Sequence, residues 1–180
     1  MPVPVLLITG PSGVGKTTVA YEISAQLAEA GAAHAFVDTD GLDHIHPPPA
    51  QDPTKRSLTA ANLAAVWANL HAAGAPRLIL TGVVENLDSE LEWLRPAVPE
   101  SRWAVVLLRA GDAERARRLA AREVGSGLEY HLERSRIVAR ALDRAADGRI
   151  AVDTDGLTVP EVAREVLRAA GWPPPGPGAT

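Results

Sequence analysis

Short apolar runs alternate with longer segments of helical period along this chain. Strands that alternate with helices in this way are typical of βαβ units on a parallel sheet. The predicted strands are residues 3–9, 33–38, 77–81, 102–108 and 149–152. The predicted helices are residues 16–30, 57–73, 112–123, 129–146 and 159–170. The pattern therefore predicts an α/β fold.

Two segments interrupt this alternation and set the expected domain limits. Residues 41–57 begin with a loop rich in Pro, Asp and His, and a loop of this length in a compact domain is often functional. Residues 173–180 consist almost entirely of Pro and Gly and are predicted to be a disordered tail. A chain of 180 residues fits one domain of ordinary size, so we expect a single domain over residues 1–172.

Composition and charge limit the classes of partner. Lys and Arg number 18 and Asp and Glu number 22, which gives a net charge of −4 and no global positive field to attract nucleic acid or an anionic membrane. The chain has no Cys, which is typical of a reducing compartment. No apolar run approaches the length of a membrane span. We expect a cytoplasmic protein that binds small molecules.

One motif carries a specific chemistry. A predicted strand leads into the pattern G-x-x-x-x-G-K-[ST], and an amphipathic helix follows it. Glycines are needed there because backbone N–H groups must approach phosphate oxygens closely, at the positive end of the helix dipole. The motif predicts a site for ATP and Mg²⁺, in which Lys16 reaches the β- and γ-phosphates and the Thr17 hydroxyl holds the metal. The predicted nucleotide-binding residues are Gly10, Pro11, Ser12, Gly13, Val14, Gly15, Lys16, Thr17 and Thr18.

With this loop, the Asp38-Thr39-Asp40 triplet and an arginine-bearing segment late in the chain, the sequence resembles the small P-loop kinases. That group includes shikimate, gluconate, adenylylsulfate and nucleoside monophosphate kinases and chloramphenicol phosphotransferase. The resemblance implies a three-layer α/β/α sandwich with a five-stranded parallel sheet in the order 2-3-1-4-5. It also implies a substrate-binding region after the second strand, at residues 41–57, and a small lid, at residues 122–130.

Two carboxylates at the exit of the second strand are candidate catalytic groups. By analogy with shikimate kinase, Asp38 is assigned to the metal, directly or through water, and Asp40 to the acceptor hydroxyl. Carboxylates can fill both roles in phosphoryl transfer. An ordinary strand-exit turn is the alternative, because Asp153-Thr154-Asp155-Gly156 repeats the same residues late in the chain.

Basic residues and one glycine complete the predicted site. Arg118 and Arg122 share a helix face, and by family analogy they stack on adenine or close on the phosphates. Arg56 is a candidate for binding an anionic group of the substrate, and Gly82 is a candidate for close backbone approach to it. A solvated surface for the arginines and a turn for the glycine are the alternatives.

These features predict an ATP-dependent phosphotransferase that moves the γ-phosphate to a hydroxyl group of a small molecule. A nucleoside monophosphate or adenylylsulfate kinase is the nearest alternative. A P-loop ATPase or nucleotide switch is an alternative of another class. Against it, the chain has no Asn-Lys-x-Asp element for guanine, and its third strand ends in Thr81-Gly82 and not in adjacent acidic residues. The nature of the acceptor, whether sugar, antibiotic, nucleoside or amino-acid derivative, stays open.

Overall fold

A single parallel sheet forms the centre of the molecule. The computed structural model describes residues 1–83, 87–122, 127–144 and 149–172. The strands are β1 (Val3–Thr9), β2 (Ala35–Asp38), β3 (Leu78–Thr81), β4 (Ser101–Arg109) and β5 (Ile150–Asp153). They are all parallel and lie in the order β2-β3-β1-β4-β5. The expected fold class and strand order are confirmed.

Helices cover both faces of this sheet. They are α1 (Lys16–Glu29), α2 (Arg56–Ala72), α3 (Leu87–Leu94), α4 (Asp112–Arg122), α5 (Leu128–Arg144) and α6 (Val159–Ala169). Five of the six correspond to predicted helices. The pattern did not predict α3, which has only eight residues and lies just after the undescribed residues 84–86.

Alternate residues of β1 face two separate cores. Leu6 and Ile8 are fully buried and belong to the core formed with α1 and α6. Val5 and Leu7 are equally buried on the other face and belong to the core formed with α2, α3 and α5. A strand that is apolar on both faces is typical of a parallel sheet covered by helices on each side. This arrangement is the expected three-layer sandwich.

The register of the central strands places three chain segments at one edge of the sheet. Thr81 of β3 pairs with both Ile8 of β1 and Asp38 of β2. These three strands therefore end at the same level, and the segments that follow them emerge side by side. Ligands of open α/β sheets bind at this carboxyl edge.

Two sequence-based expectations concern the ends of the chain and the membrane. The predicted tail, residues 173–180, lies outside the described residues, and the domain limit at residue 172 stays a prediction. Across the described ranges, every helix is too short or too polar to cross a membrane.

Candidate active site

The loop that joins β1 to α1 has a conformation that requires glycine. Gly13 and Gly15 have φ angles of 82° and 101°, which residues with side chains rarely adopt. A Cβ on Gly10 would lie 2.6 Å from the Leu108 carbonyl oxygen, and one on Gly13 would lie 2.8 Å from the Arg115 carbonyl oxygen. The loop backbone is thus packed closely against the end of β4 and the start of α4. A backbone cradle of this kind at a helix N-terminus fits phosphate oxygens.

Lys16 is buried at this loop. Its side chain is buried, at 7% exposure, although Lys is rarely buried without partners. Nζ donates hydrogen bonds to the carbonyl oxygens of Gly10 at 3.1 Å and Pro11 at 3.4 Å. These contacts hold the ammonium group beside the backbone that the motif assigns to phosphate binding.

Thr17 and Asp38 meet across the cleft between α1 and the end of β2. The Thr17 hydroxyl donates to Asp38 Oδ2 at 2.9 Å, and Asp38 Oδ1 accepts a bond from the Asp40 backbone N–H at 3.1 Å. A hydroxyl and a carboxylate are the hard oxygen donors that Mg²⁺ prefers. The residues present therefore fit the metal that the sequence predicted for them, and the metal role itself stays a prediction.

Asp40 lies beside Asp38, but not on a continued strand. β2 ends at Asp38, and the next three residues form a 3₁₀ turn, Thr39–Gly41. Asp40 Oδ1 accepts a hydrogen bond from the Val83 backbone N–H at 3.3 Å, and its carboxylate is thereby tied to the segment after β3. The two carboxylates share the carboxyl edge of the sheet because of this turn and not because of strand periodicity.

Gly82 lies where hydrogen bonds connect the ends of β1, β2 and β3. Its carbonyl oxygen accepts a bond from the Thr9 hydroxyl at 3.1 Å. The Thr39 hydroxyl donates to the Thr81 carbonyl oxygen at 2.8 Å, and a Cβ on Gly82 would lie 2.2 Å from that same hydroxyl oxygen. Glycine is therefore required here for packing, and contact of Gly82 with a substrate stays a prediction.

Gly82→Ala is expected to lower the free energy of unfolding by about 1–3 kcal/mol, because the added methyl group overlaps the Thr39 hydroxyl. Urea unfolding of both proteins measures the difference. Gly41→Ala is the matched control, since nothing lies within 4 Å of a Cβ placed there. We expect the control to change stability by less than about 0.5 kcal/mol. Equal losses in the two variants would contradict the packing role.

A cavity of about 310 Å³ opens beside the glycine loop. Its walls come from the loop and α1, from α4 and from the connection between β5 and α6. Leu157 and Val159 expose 44% and 37% of their surface there, so the cavity has an apolar side that a flat ring could cover. The lining residues are Val14, Gly15, Thr18, Val19, Glu114, Arg117, Arg118, Thr154, Leu157, Val159 and Val162.

Arg118 connects three walls of this cavity. Its Nη1 donates to the Val14 carbonyl oxygen and to Thr154 Oγ1, each at 3.0 Å, and its Nε donates to Glu114 Oε1 at 2.7 Å. Glu114 also accepts two bonds from Arg117. Hydrogen bonds from Arg117 and then from Arg118 lower the pKa of Glu114 from 4.5 to about 2. These hydrogen bonds hold the guanidinium of Arg118 in place beside the glycine loop. Its contact with a nucleotide stays a prediction.

The Glu114 pKa predicts how stability depends on pH. Since folding lowers this pKa, the ionised carboxylate stabilises the folded state above about pH 4.5, and that contribution is lost as the pH falls towards 2. Glu114→Gln should therefore be less stable than the unaltered protein at pH 6, with the difference shrinking below pH 4.5. Thermal unfolding of both proteins from pH 6 to pH 2.5 tests this. A difference that is constant across that range would contradict the assignment.

The sequence matches the family described as AAA domain over residues 6–139, which is most of the chain. The chain belongs to this family. The matched region contains the second half of β1, the glycine loop, β2 to β4 and most of α5. No curated protein sequence matches the chain.

Solved structures that resemble this AAA domain include small P-loop kinases. A sugar kinase from a Janibacter species has a TM-score of 0.66 and 18% identity, over 96% of this chain and 97% of that chain. Shikimate kinase from Acinetobacter baumannii, in complex with shikimate, has a TM-score of 0.56 and 17% identity, over 92% of each chain. The adenylylsulfate kinase of Mycobacterium tuberculosis, in complex with AMPPNP and adenylylsulfate, has a TM-score of 0.59 and 20% identity, over 94% and 98%. The resemblance to small P-loop kinases is confirmed at the level of the fold.

The remaining predicted site residues of the AAA domain are Arg56 and Arg122. Arg56 begins α2 and forms an ion pair with Glu90 of α3, with Nη2 and Oε1 2.6 Å apart. Arg122 ends α4, but its side chain lies outside the described residues, as do residues 123–126 of the predicted lid. Their roles stay predictions.

One set of contacts around the loop was not predicted. The Ser135 hydroxyl of α5 donates to the Ser12 carbonyl oxygen at 2.8 Å and accepts from Arg115 Nε at 3.2 Å. Arg115 is 5% exposed and also donates to the Ala110 carbonyl oxygen. Helix α5 is therefore bonded directly to the glycine loop. Arg115 belonged to an arginine-rich segment, but no local pattern identified Ser135 as its partner.

Proposed function

We propose that this AAA domain is an ATP-dependent phosphotransferase that moves the γ-phosphate of ATP to a hydroxyl group of a small molecule. The Thr17–Asp38 contact is the observation that supports this most strongly. It joins the start of α1 to the carboxylate of Asp38 at the end of β2, and Asp40 lies directly beside Asp38. Kinases on this fold need a nucleotide site and an acceptor site that meet at one edge of the sheet.

Each residue of the site has a role in this proposal. Backbone N–H groups of residues 10–17 bind the β- and γ-phosphates, and Lys16 places a positive charge on them. Thr17 and Asp38 would hold Mg²⁺, which when bound neutralises charge on the phosphate oxygens. Asp40 accepts the proton of the acceptor hydroxyl, while the oxygen of that hydroxyl forms a bond to the γ-phosphorus. The bond between that phosphorus and the β–γ bridging oxygen breaks, and ADP leaves.

The cavity beside the loop is the proposed adenine site. Leu157 and Val159 offer an apolar surface in the cavity lining, and Arg118 of α4 offers a planar cationic group in the same lining. Aromatic rings bind well between apolar and guanidinium surfaces. Arg122, one helical turn after Arg118, is proposed to act on the phosphates or on adenine from the lid.

ATP hydrolysis is the second candidate function, and the match to the AAA domain family favours it. The two candidates differ in what receives the phosphate. A kinase transfers it to an acceptor, whereas an ATPase or switch transfers it to water. A nucleoside monophosphate or adenylylsulfate acceptor stays an alternative within the kinase class.

ADP release tests the proposal. Purified protein is incubated with ATP and Mg²⁺ and with a panel of sugars, polyols, nucleosides, nucleoside monophosphates, aminoglycosides and hydroxylated acids. We expect at least one of these compounds to raise the rate of ADP release above the rate with water alone. Release at one constant rate across the whole panel would instead favour the ATPase.

A further inference from the structure

The cationic side chain that begins α2 is already neutralised within the fold. Arg56 Nη2 lies 2.6 Å from Glu90 Oε1, and the other oxygen of the same carboxylate, Oε2, accepts a bond from Trp93 Nε1 at 2.9 Å. The Glu90 side chain is only 12% exposed, whereas Arg56 is 46% exposed. The carboxylate is thus held from two sides, and its charge offsets that of the guanidinium.

Lys55, the neighbouring cation, is neutralised in the same way. Its Nζ lies 3.0 Å from Asp43 Oδ1 and also donates to the Asp43 carbonyl oxygen at 3.0 Å. The second carboxylate oxygen of Asp43 accepts a bond from the Thr59 hydroxyl at 3.3 Å. Asp43 therefore links the loop after β2 to the first turn of α2.

The charge that is left on this side of the site is negative. Residues 38–56 contain four Asp, two His and one each of Lys and Arg, and the Lys and Arg side chains are both ion-paired. Asp40 adds its charge at the sheet edge, beside Asp38, which is proposed to hold Mg²⁺. Asp52 accepts a bond from the Leu58 N–H at the start of α2. An acceptor with a carboxylate, phosphate or sulfate group would meet this field and would have to compete with Glu90 for Arg56.

We propose that Glu90 and Asp43 are specificity-determining residues, and that by neutralising Arg56 and Lys55 they select acceptors that are neutral or cationic. The substrate class is then an uncharged or amino-substituted polyhydroxyl compound. This inference rests on the proposed function, since it concerns the acceptor of that reaction. It replaces the role that the sequence predicted for Arg56, which was to bind an anionic substrate group.

Binding of gluconate tests the inference without requiring turnover. The full-length protein is saturated with AMP-PNP and Mg²⁺ and titrated calorimetrically with gluconate, sorbitol and glucamine, which share a six-carbon polyol chain and differ in charge. We expect gluconate to bind the unaltered protein no more tightly than sorbitol does. Glu90→Gln should raise gluconate affinity about tenfold or more, because loss of one competing charged contact is worth about that factor.

Two further variants make the result specific. Glu92→Gln removes an equal charge from an exposed position of α3 and should leave gluconate affinity unchanged. Adding Arg56→Gln to Glu90→Gln should abolish the gain. Thermal unfolding of each variant identifies any that fails to fold, and in that case Asp43→Asn repeats the test at Lys55.

Two outcomes would overturn the inference. One is gluconate binding to the unaltered protein that is lost on Arg56→Gln. The other is no gain in gluconate affinity when Glu90 or Asp43 is neutralised. Failure of the proposed function would be seen in a different experiment, as ADP release that no compound accelerates. The binding results could still be interpreted in that case.

Discussion

Lys16→Ala is expected to lower acceptor-dependent ADP release by about 10²–10³-fold, which is the typical cost of removing one charge-stabilising group from a transition state. The Lys16 ammonium is buried beside the Gly10 and Pro11 carbonyl oxygens, at the backbone that is proposed to bind the phosphates. Steady-state kinetics should show the loss mainly in kcat, because the charge on the transferred group changes most during reaction.

Arg168→Ala is the control for this variant. Arg168 is an exposed cation on α6 that pairs with Glu165 and lies outside the proposed site. We expect its activity to stay within about twofold of the unaltered protein, since exposed ion pairs contribute little. A Lys16→Ala protein that is folded and retains full activity would remove Lys16 from the mechanism.

Asp40→Asn is expected to lower kcat by about 10²–10⁴-fold, the usual contribution of a general base. The amide oxygen of Asn can still accept the bond from the Val83 N–H, so the turn should keep its shape while the base is lost. Stopped assays of ADP release with a saturating acceptor measure the effect. Nucleotide affinity, measured by calorimetry, should change by less than about threefold, because Asp40 is proposed to act on the acceptor and not on the nucleotide.

The chain offers a matched control for this substitution. Asp155 occupies the third position of the repeated Asp-Thr-Asp-Gly segment and accepts one backbone bond, from the Gly111 N–H at 2.7 Å. Asp155→Asn makes the same chemical change at a turn that borders the proposed adenine cavity. Asp155 does not line that cavity, so kcat at saturating ATP should stay unchanged. If both variants lose activity equally, the effect of Asp40→Asn is structural and Asp40 is not the base.

The fold was predictable because its signals are local. Each strand is a short apolar run, and the glycine loop marks the first crossover, so the element types and the P-loop resemblance together predicted the sheet order. α3 was missed because LDSELEWL has eight residues and only four of them are apolar. A helix this short owes its position to tertiary packing. Its own side chains Leu91, Trp93 and Leu94 pack in the core that includes residues of α2.

The site was predictable where backbone geometry carries the chemistry. Gly13, Gly15, Lys16 and Thr17 form one motif, and Asp38 joined them because the ends of parallel strands meet. Pairings between distant side chains were not predictable. Arg56 and Glu90 are 34 residues apart and Ser12 and Ser135 are 123 apart, and neither separation has a sequence signature. That Arg56 is neutralised by Glu90 could therefore be recognised only from the structure.

The fate of the γ-phosphate tests the central claim most directly. The protein is incubated with Mg²⁺ and ATP labelled at the γ-phosphate, with and without neutral and amino-substituted polyhydroxyl compounds, and the labelled products are separated by chromatography. We expect label on an acceptor hydroxyl in amounts equal to the ADP formed, and formation of this product about 10²–10³-fold slower with Lys16→Ala. Label that appears only as inorganic phosphate, at the same rate with every compound and with none, would contradict the phosphotransferase assignment and identify the chain as an ATPase.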